Sequence, residues 1–139
     1  VIRALEIIEK RGNPKDIYVK GSRRGRPFLN TFFTFGMSIF ESLYFGKILY
    51  EINAQPNIFH RSFFATWQDP PGDFSLDLYA LYAAKRSQLT IVRFPVFFPM
   101  RIHGASSWDT GFGAKWKFIK RTIKFSRELK DKIKRERRL

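Results

Sequence analysis

The chain is 139 residues long, enough for one domain with a modest core, and 26 Lys and Arg against 12 Asp and Glu give it a net charge of +14. Cysteine is absent, which excludes disulfides and cysteinyl metal sites and fits a cytosolic setting. Residues 111–139 hold twelve Lys and Arg against three Asp and Glu, so a mildly basic globule carries a strongly basic tail that calls for an anionic partner: a phospholipid surface, nucleic acid or an acidic protein.

Val1, Ala4, Leu5 and Ile8 recur at helical spacing, and Gly12-Asn13-Pro14 ends that first helix. Because the chain opens on Val inside a helix, it is expected to be the C-terminal part of a protein near twice its size. Asp16 to Lys20 is β-rich and reads as a strand, and residues 21–27, with Arg23, Arg24 and Arg26, read as a loop. A long helix is predicted over 28–49, with Gly46 a weak point near its end. Asn30, Thr31, Thr34, Ser38, Glu41, Ser42 and Lys47 interrupt its apolar run, so it reads as buried or interfacial rather than membrane-spanning.

Residues 51–56 read as irregular. A short helix follows over 59–67, and Asp69-Pro70-Pro71-Gly72 breaks it. Asp73 or Ser75 can cap the next helix, Phe74 to Lys85, whose buried stripe would be Phe74, Leu78, Leu81 and Tyr82. Thr90 to Phe98 is the plainest strand, closed by Pro99, and a Gly-containing stretch leads to the basic helix. There Trp116, Ile119, Ile123, Phe125, Leu129 and Ile133 cover about half of the circumference, with Lys117, Lys120, Arg121, Lys124, Arg127 and Arg135 mostly opposite. That pattern fits either a helix lying in a membrane interface or one packing its apolar face on the domain. Its aromatics form no stacking platform, so nucleic acid is not the expected partner. The sixteen Phe suit a core and equally a surface that touches lipid. The order of elements, α, β, α, α, β, α, suits an α/β layer fold.

Four clusters occur in one order: Lys20-Gly21-Ser22-Arg23; Glu51-Ile52-Asn53-Ala54-Gln55-Pro56; Asp73-Phe74-Ser75-Leu76-Asp77; and Phe94-Pro95-Val96 with Arg101-Ile102-His103-Gly104-Ala105-Ser106. Together they resemble the acceptor-side half of a family 2 glycosyltransferase, of the group that moves a sugar from a nucleotide onto a polyprenyl phosphate, as dolichol-phosphate mannose synthase does. The resemblance runs from about Asp16 to Lys124. It implies a partial GT-A fold: residues 1–110 are the acceptor-side part, residues 111–139 a basic amphipathic helix, and the nucleotide-sugar half precedes Val1. It further implies a peripheral enzyme on the cytoplasmic face of the membrane, with a nucleotide-sugar donor and a polyprenyl phosphate acceptor. The Asp-x-Asp element that would carry Mg²⁺ or Mn²⁺ has no counterpart in these residues, so the divalent cation of the intact enzyme would be held upstream.

The resemblance also assigns roles. Arg23 matches an arginine near the phosphates, with Arg24 beside it; read alone, the arginines are equally a solvated basic loop or a phosphate-binding one, since the guanidinium fork matches phosphate oxygens. Thr34 falls where a serine often lies near the acceptor phosphate, although Phe35 replaces the usual basic neighbour. Arg101, His103 and Ser106 belong to a loop that closes over the acceptor, with Ala105 and Ser107 standing where Glu and Lys are usual; His103 is either a donor to phosphate or structural. Glu51, where the family usually shows Asp, acts as base, orients the sugar or stabilises its loop, and Asn53 with Gln55 suits sugar hydroxyls. Asp77 favours a helix dipole and also matches an acidic site residue. Two other classes stay open: transfer to a soluble hydroxyl acceptor, and a non-enzymatic basic protein binding anionic lipid or RNA.

Overall fold

The computed structural model describes residues 2–25, 28–73, 75–97 and 112–136. It divides into two compact units, Val1–Pro99 and Met100–Leu139. Among the described residues the protein is mixed α/β, with five α-helices and one three-stranded sheet.

In the first unit, α1 (Ile2–Arg11) stops at Gly12, whose φ of +89° is a backbone conformation that side chains disfavour. Asn13 then accepts from the Lys15 N–H (3.1 Å) and starts a short 3₁₀ turn, Pro14–Asp16. Strand β1 follows (Ile17–Arg24). It runs past the predicted end at Lys20 and takes Ser22, Arg23 and Arg24 out of the expected loop and into the sheet. The cause is pairing at a distance in sequence: β3 (Thr90–Phe97) lies parallel to β1 in register from Ile17↔Thr90 to Arg24↔Phe97. On its other side β1 pairs antiparallel with β2 (Asn57–Phe59), a strand not foreseen, giving the order β2-β1-β3.

Because β1 is central, its faces are covered from both sides. Ile17, Val19 and Phe94 pack with Ala4, Ile7 and Ile8 of α1. On the opposite face Tyr18 packs with Phe63, Ala80 and Ala84, contributed by α3 (Arg61–Phe64) and α4 (Leu76–Arg86). Tyr18 stacks on Phe59 with ring centroids 5.3 Å apart, and Phe63 and Trp67 extend the aromatic layer edge to face (5.6 Å).

Helix α2 (Phe28–Phe45) is shorter than predicted. Gly46 takes a φ of +62°, and the Lys47 N–H turns back to the Ser42 carbonyl (3.1 Å), the six-to-one bond of a Schellman ending. The Ser42 hydroxyl accepts from the Leu49 N–H (2.8 Å) and fastens the exit segment to the helix. At α4 the Asp73 carboxylate accepts from the Ser75 N–H (2.9 Å), while Ser75 caps with its backbone alone. Leu78, Leu81 and Tyr82 are buried as expected, joined by Ala80 and Ala84, and Phe74 lies outside the described residues. In the second unit α5 spans Phe112–Glu136. Trp116 near its start is exposed, with the Lys120 ammonium 5.5 Å from its ring centroid. No helix among the described residues is long and apolar enough to cross a membrane.

One glycine shapes the site. The Gly21 N–H donates to the Pro56 carbonyl (2.9 Å), and a Cβ at position 21 would fall on the Gln55 carbonyl group. Gly21→Ala therefore forces backbone away from backbone and is expected to cost about 1–3 kcal/mol. The midpoint of urea unfolding measures it; an unchanged midpoint would show that the 51–56 segment does not lie this close to β1.

Candidate functional site

The parallel strands β1 and β3 carry a cluster of charge that starts at mid-strand, with Lys20 and Arg93, and reaches Arg23 towards the end of β1. Lys20 and Arg93 are register partners on adjacent strands, and Asn57 of β2 pairs with Lys20 from the other side. The Lys20 side chain is wholly buried (0% exposed), an expensive place for an ammonium. Its Nζ donates to the carbonyls of Ile52 (2.7 Å) and Ala54 (3.0 Å) and to Asn57 Oδ1 (2.7 Å). An ammonium has three N–H donors, so all are used. Burial pulls its pKa down from the ordinary lysine value to about 8, against the opposing pull of Asp77; Arg93 and Arg23 add to the lowering, and Glu51 opposes it.

Asn57 passes the interaction on. With its oxygen committed to Lys20, its amide nitrogen donates to Asp77 Oδ1 (2.9 Å), and Gln55 Nε2 donates to the same oxygen (2.8 Å). Asp77, in the first turn of α4, is half-buried. That burial raises its pKa above the ordinary carboxylate value, while Lys20, the Gln55 amide, Arg23 and the Asn57 amide hold the rise in check.

Glu51 is buried and takes a φ of +50°, a left-handed backbone that a side-chain-bearing residue adopts only when its surroundings enforce it. Both carboxylate oxygens accept from the Arg23 backbone N–H (3.1 and 3.2 Å), and the Ala54 N–H turns back to the Glu51 carbonyl (3.0 Å). The carboxylate thus ties its loop to the end of β1. Beside it, Arg93 Nη2 donates to the Tyr50 carbonyl (3.0 Å), and the guanidinium lies 5.7 Å from the Tyr50 ring centroid. Burial lowers the Arg93 pKa, and the Glu51 carboxylate works against that lowering.

Of the residues proposed from sequence, the structure brings together Arg23 with Glu51, and Gln55 with Asp77. Asn53 lies in the same loop, half-buried, and Arg24 is exposed at the strand end. Thr34 falls in α2 with its side chain outside the described set, and Arg101, His103 and Ser106 lie outside the described residues. Sequence reasoning passed over Lys20, Asn57 and Arg93. Lys20 shares a strand face with Tyr18, opposite Ile17 and Val19, so alternation alone reads it as facing solvent; it is buried because α3, α4 and the 51–56 segment cover that face. Among the described residues no group of three His, Cys, Asp or Glu side chains could hold a metal ion. No family model matches this chain, and neither the curated proteins nor the solved structures contain a match.

Chemically, three cations (Lys20, Arg23, Arg93) lie in electrostatic reach of two carboxylates (Glu51, Asp77), and the neutral amides of Gln55 and Asn57 donate to Asp77. The Lys20 titration tests the electrostatics. Between about pH 8 and the ordinary lysine value the unfolded chain binds the proton that the folded chain has lost, so stability from this group rises with pH across that window. Tyr18, whose phenol burial pushes up, opposes this only above the ordinary tyrosine value of 10.0, where the unfolded phenol ionises first. Nitrogen-detected NMR of the lysine ammonium groups should show Lys20 titrating near 8, and lower still in Asp77→Asn, which removes an opposing charge but keeps an oxygen for Gln55 and Asn57. A Lys20 titration at or above the ordinary value would contradict the buried geometry.

Proposed function

We propose that this chain is the acceptor-side part of a GT-A family 2 glycosyltransferase that moves a sugar from a nucleotide onto a polyprenyl phosphate at a membrane surface. The observation that carries the reading is the cation-rich cluster on β1 and β3, formed largely by residues of the same motifs that resemble this family. The parallel pairing of the first and last motif strands and the basic amphipathic helix α5 support it further.

In this reading a phosphate oxygen of the acceptor, already ionised at neutral pH, attacks the anomeric carbon. A new carbon–oxygen bond forms as the bond to the nucleoside diphosphate breaks, and the diphosphate leaves with the electron pair. No proton has to be removed, so positioning and charge stabilisation dominate over base catalysis. Arg23 holds the acceptor phosphate, joined by Arg101 from the closing loop. Asn53 and Gln55 face the sugar hydroxyls. Asp77 orients Gln55, and Glu51 keeps the loop in place through the Arg23 N–H, which makes both carboxylates positioning groups. The nucleotide and its divalent cation belong to protein upstream of these residues, and α5 holds the enzyme to the anionic cytoplasmic leaflet.

The contrast between two variants of the intact enzyme tests this. Arg23→Ala removes the guanidinium but keeps the backbone N–H that anchors Glu51, and should lower transfer to polyprenyl phosphate by about 10²-fold or more. Glu51→Gln keeps an acceptor oxygen for that N–H and should cost less than about tenfold. The reverse order would indicate a hydroxyl acceptor with Glu51 as its base. Absence of transfer to any polyprenyl phosphate by the unsubstituted enzyme would refute the reading.

A further inference from the structure

Helix α2 presents Phe35, Ile39 and Leu43 to solvent at intervals of four residues, one above the next along a single face. Phe40 is exposed as well, and so is Ile48 beyond the helix. Leu43 is 80% exposed and Ile48 78%, so these side chains are not the rim of a core. The only charged residue within Phe28–Phe45 is Glu41, and it is wholly buried. The polarity of this helix is thus inverted relative to a solvated one, with its charge inside and an uncharged apolar ridge outside.

The charges around the ridge indicate what covers it. Arg24 is exposed at the end of the strand that precedes α2, and Lys47 lies in its Schellman turn, so cations flank this uncharged-surfaced, Phe-rich helix along the chain. That arrangement matches the boundary between headgroups and acyl chains of an anionic leaflet: the ridge enters the apolar side while its basic ends meet phosphate headgroups. A second copy of the chain is a poor occupant, because each copy brings a net charge of +14 to the contact.

We propose that the exposed ridge of α2 is a membrane-docking surface of the first unit, inserting Phe35, Ile39 and Leu43 into the interface of an anionic bilayer in addition to any contact made by α5. The inference rests on the geometry of α2 and does not depend on sugar transfer.

The absence of cysteine permits a direct test with the full chain. An environment-sensitive fluorophore is attached at Leu43→Cys, with Ser87→Cys, exposed just beyond α4, as the control position. Vesicles of phosphatidylcholine and phosphatidylglycerol are added, with nitroxide-labelled acyl chains as quenchers. The label at 43 should shift to the blue and be quenched, and the label at 87 should do neither. Ile39→Glu with Leu43→Glu should weaken vesicle partitioning at least about tenfold. A thermal melt matched to the parent chain confirms that this variant still folds, and the fluorophore readout stands without it. A label at 43 that stays water-exposed on vesicle-bound protein overturns the proposal, as does failure to bind these vesicles. So does a blue shift that appears without lipid and tracks formation of a dimer.

Discussion

The Lys20 ammonium has three donors and three internal acceptors, and the shape of the charged cluster on the sheet follows from that match. A buried cation costs several kcal/mol unless its hydrogen bonds are all made. Here two of them go to main-chain carbonyls, Ile52 and Ala54, so the backbone of the loop rather than a mobile side chain is gripped. The third fixes the Asn57 amide with oxygen toward the cation, which aims its nitrogen at Asp77. One side chain on the central strand thereby sets the loop, β2 and the first turn of α4 relative to one another.

The rest of the site inherits this order. Gly21, one residue further along β1, leaves no side chain between the strand and the loop, so the Gln55–Pro56 backbone comes into direct contact. Two residues beyond that, the Arg23 N–H takes the Glu51 carboxylate and closes the loop at its other end. Glu51 is held in a left-handed conformation that costs of order 1–3 kcal/mol, and strain of this kind persists only where neighbouring contacts over-determine it. The loop is therefore pinned at both ends and in the middle, as a surface that must present amides in fixed positions requires.

Much of the architecture was legible in the sequence because it depends on local pattern. The helical periodicity of α1 and α4 and the apolar run of β3 located those elements within a few residues, and of the two cap candidates Ser75 takes the N-cap position while the Asp73 carboxylate accepts from its N–H. What depends on contacts distant in sequence was not legible. Gly21-Ser22-Arg23-Arg24 has the composition of a loop, yet parallel pairing with Phe94–Phe97 makes it strand. The three residues of β2 are too few to show a period and become strand by pairing with Tyr18, Val19 and Lys20 across the sheet. Of the site, Arg23, Glu51, Gln55 and Asp77 stood out as motif residues. Lys20 and Arg93 did not, because cations within β-rich runs read as solvated unless the covered face of the sheet is already known.

Amide hydrogen exchange in Lys20→Met tests this dependence most directly. The apolar replacement fills much of the same space but leaves the Ile52 and Ala54 carbonyls and the Asn57 oxygen without their donor. The amides of Gly21, Arg23 and Ala54, which bond to or within the 51–56 segment, should then exchange at least about 10²-fold faster, while amides of the β1–β3 ladder keep their protection. Unchanged protection at Gly21, Arg23 and Ala54 would mean that the loop holds its shape without the buried ammonium, and that the charged cluster is organised by something else.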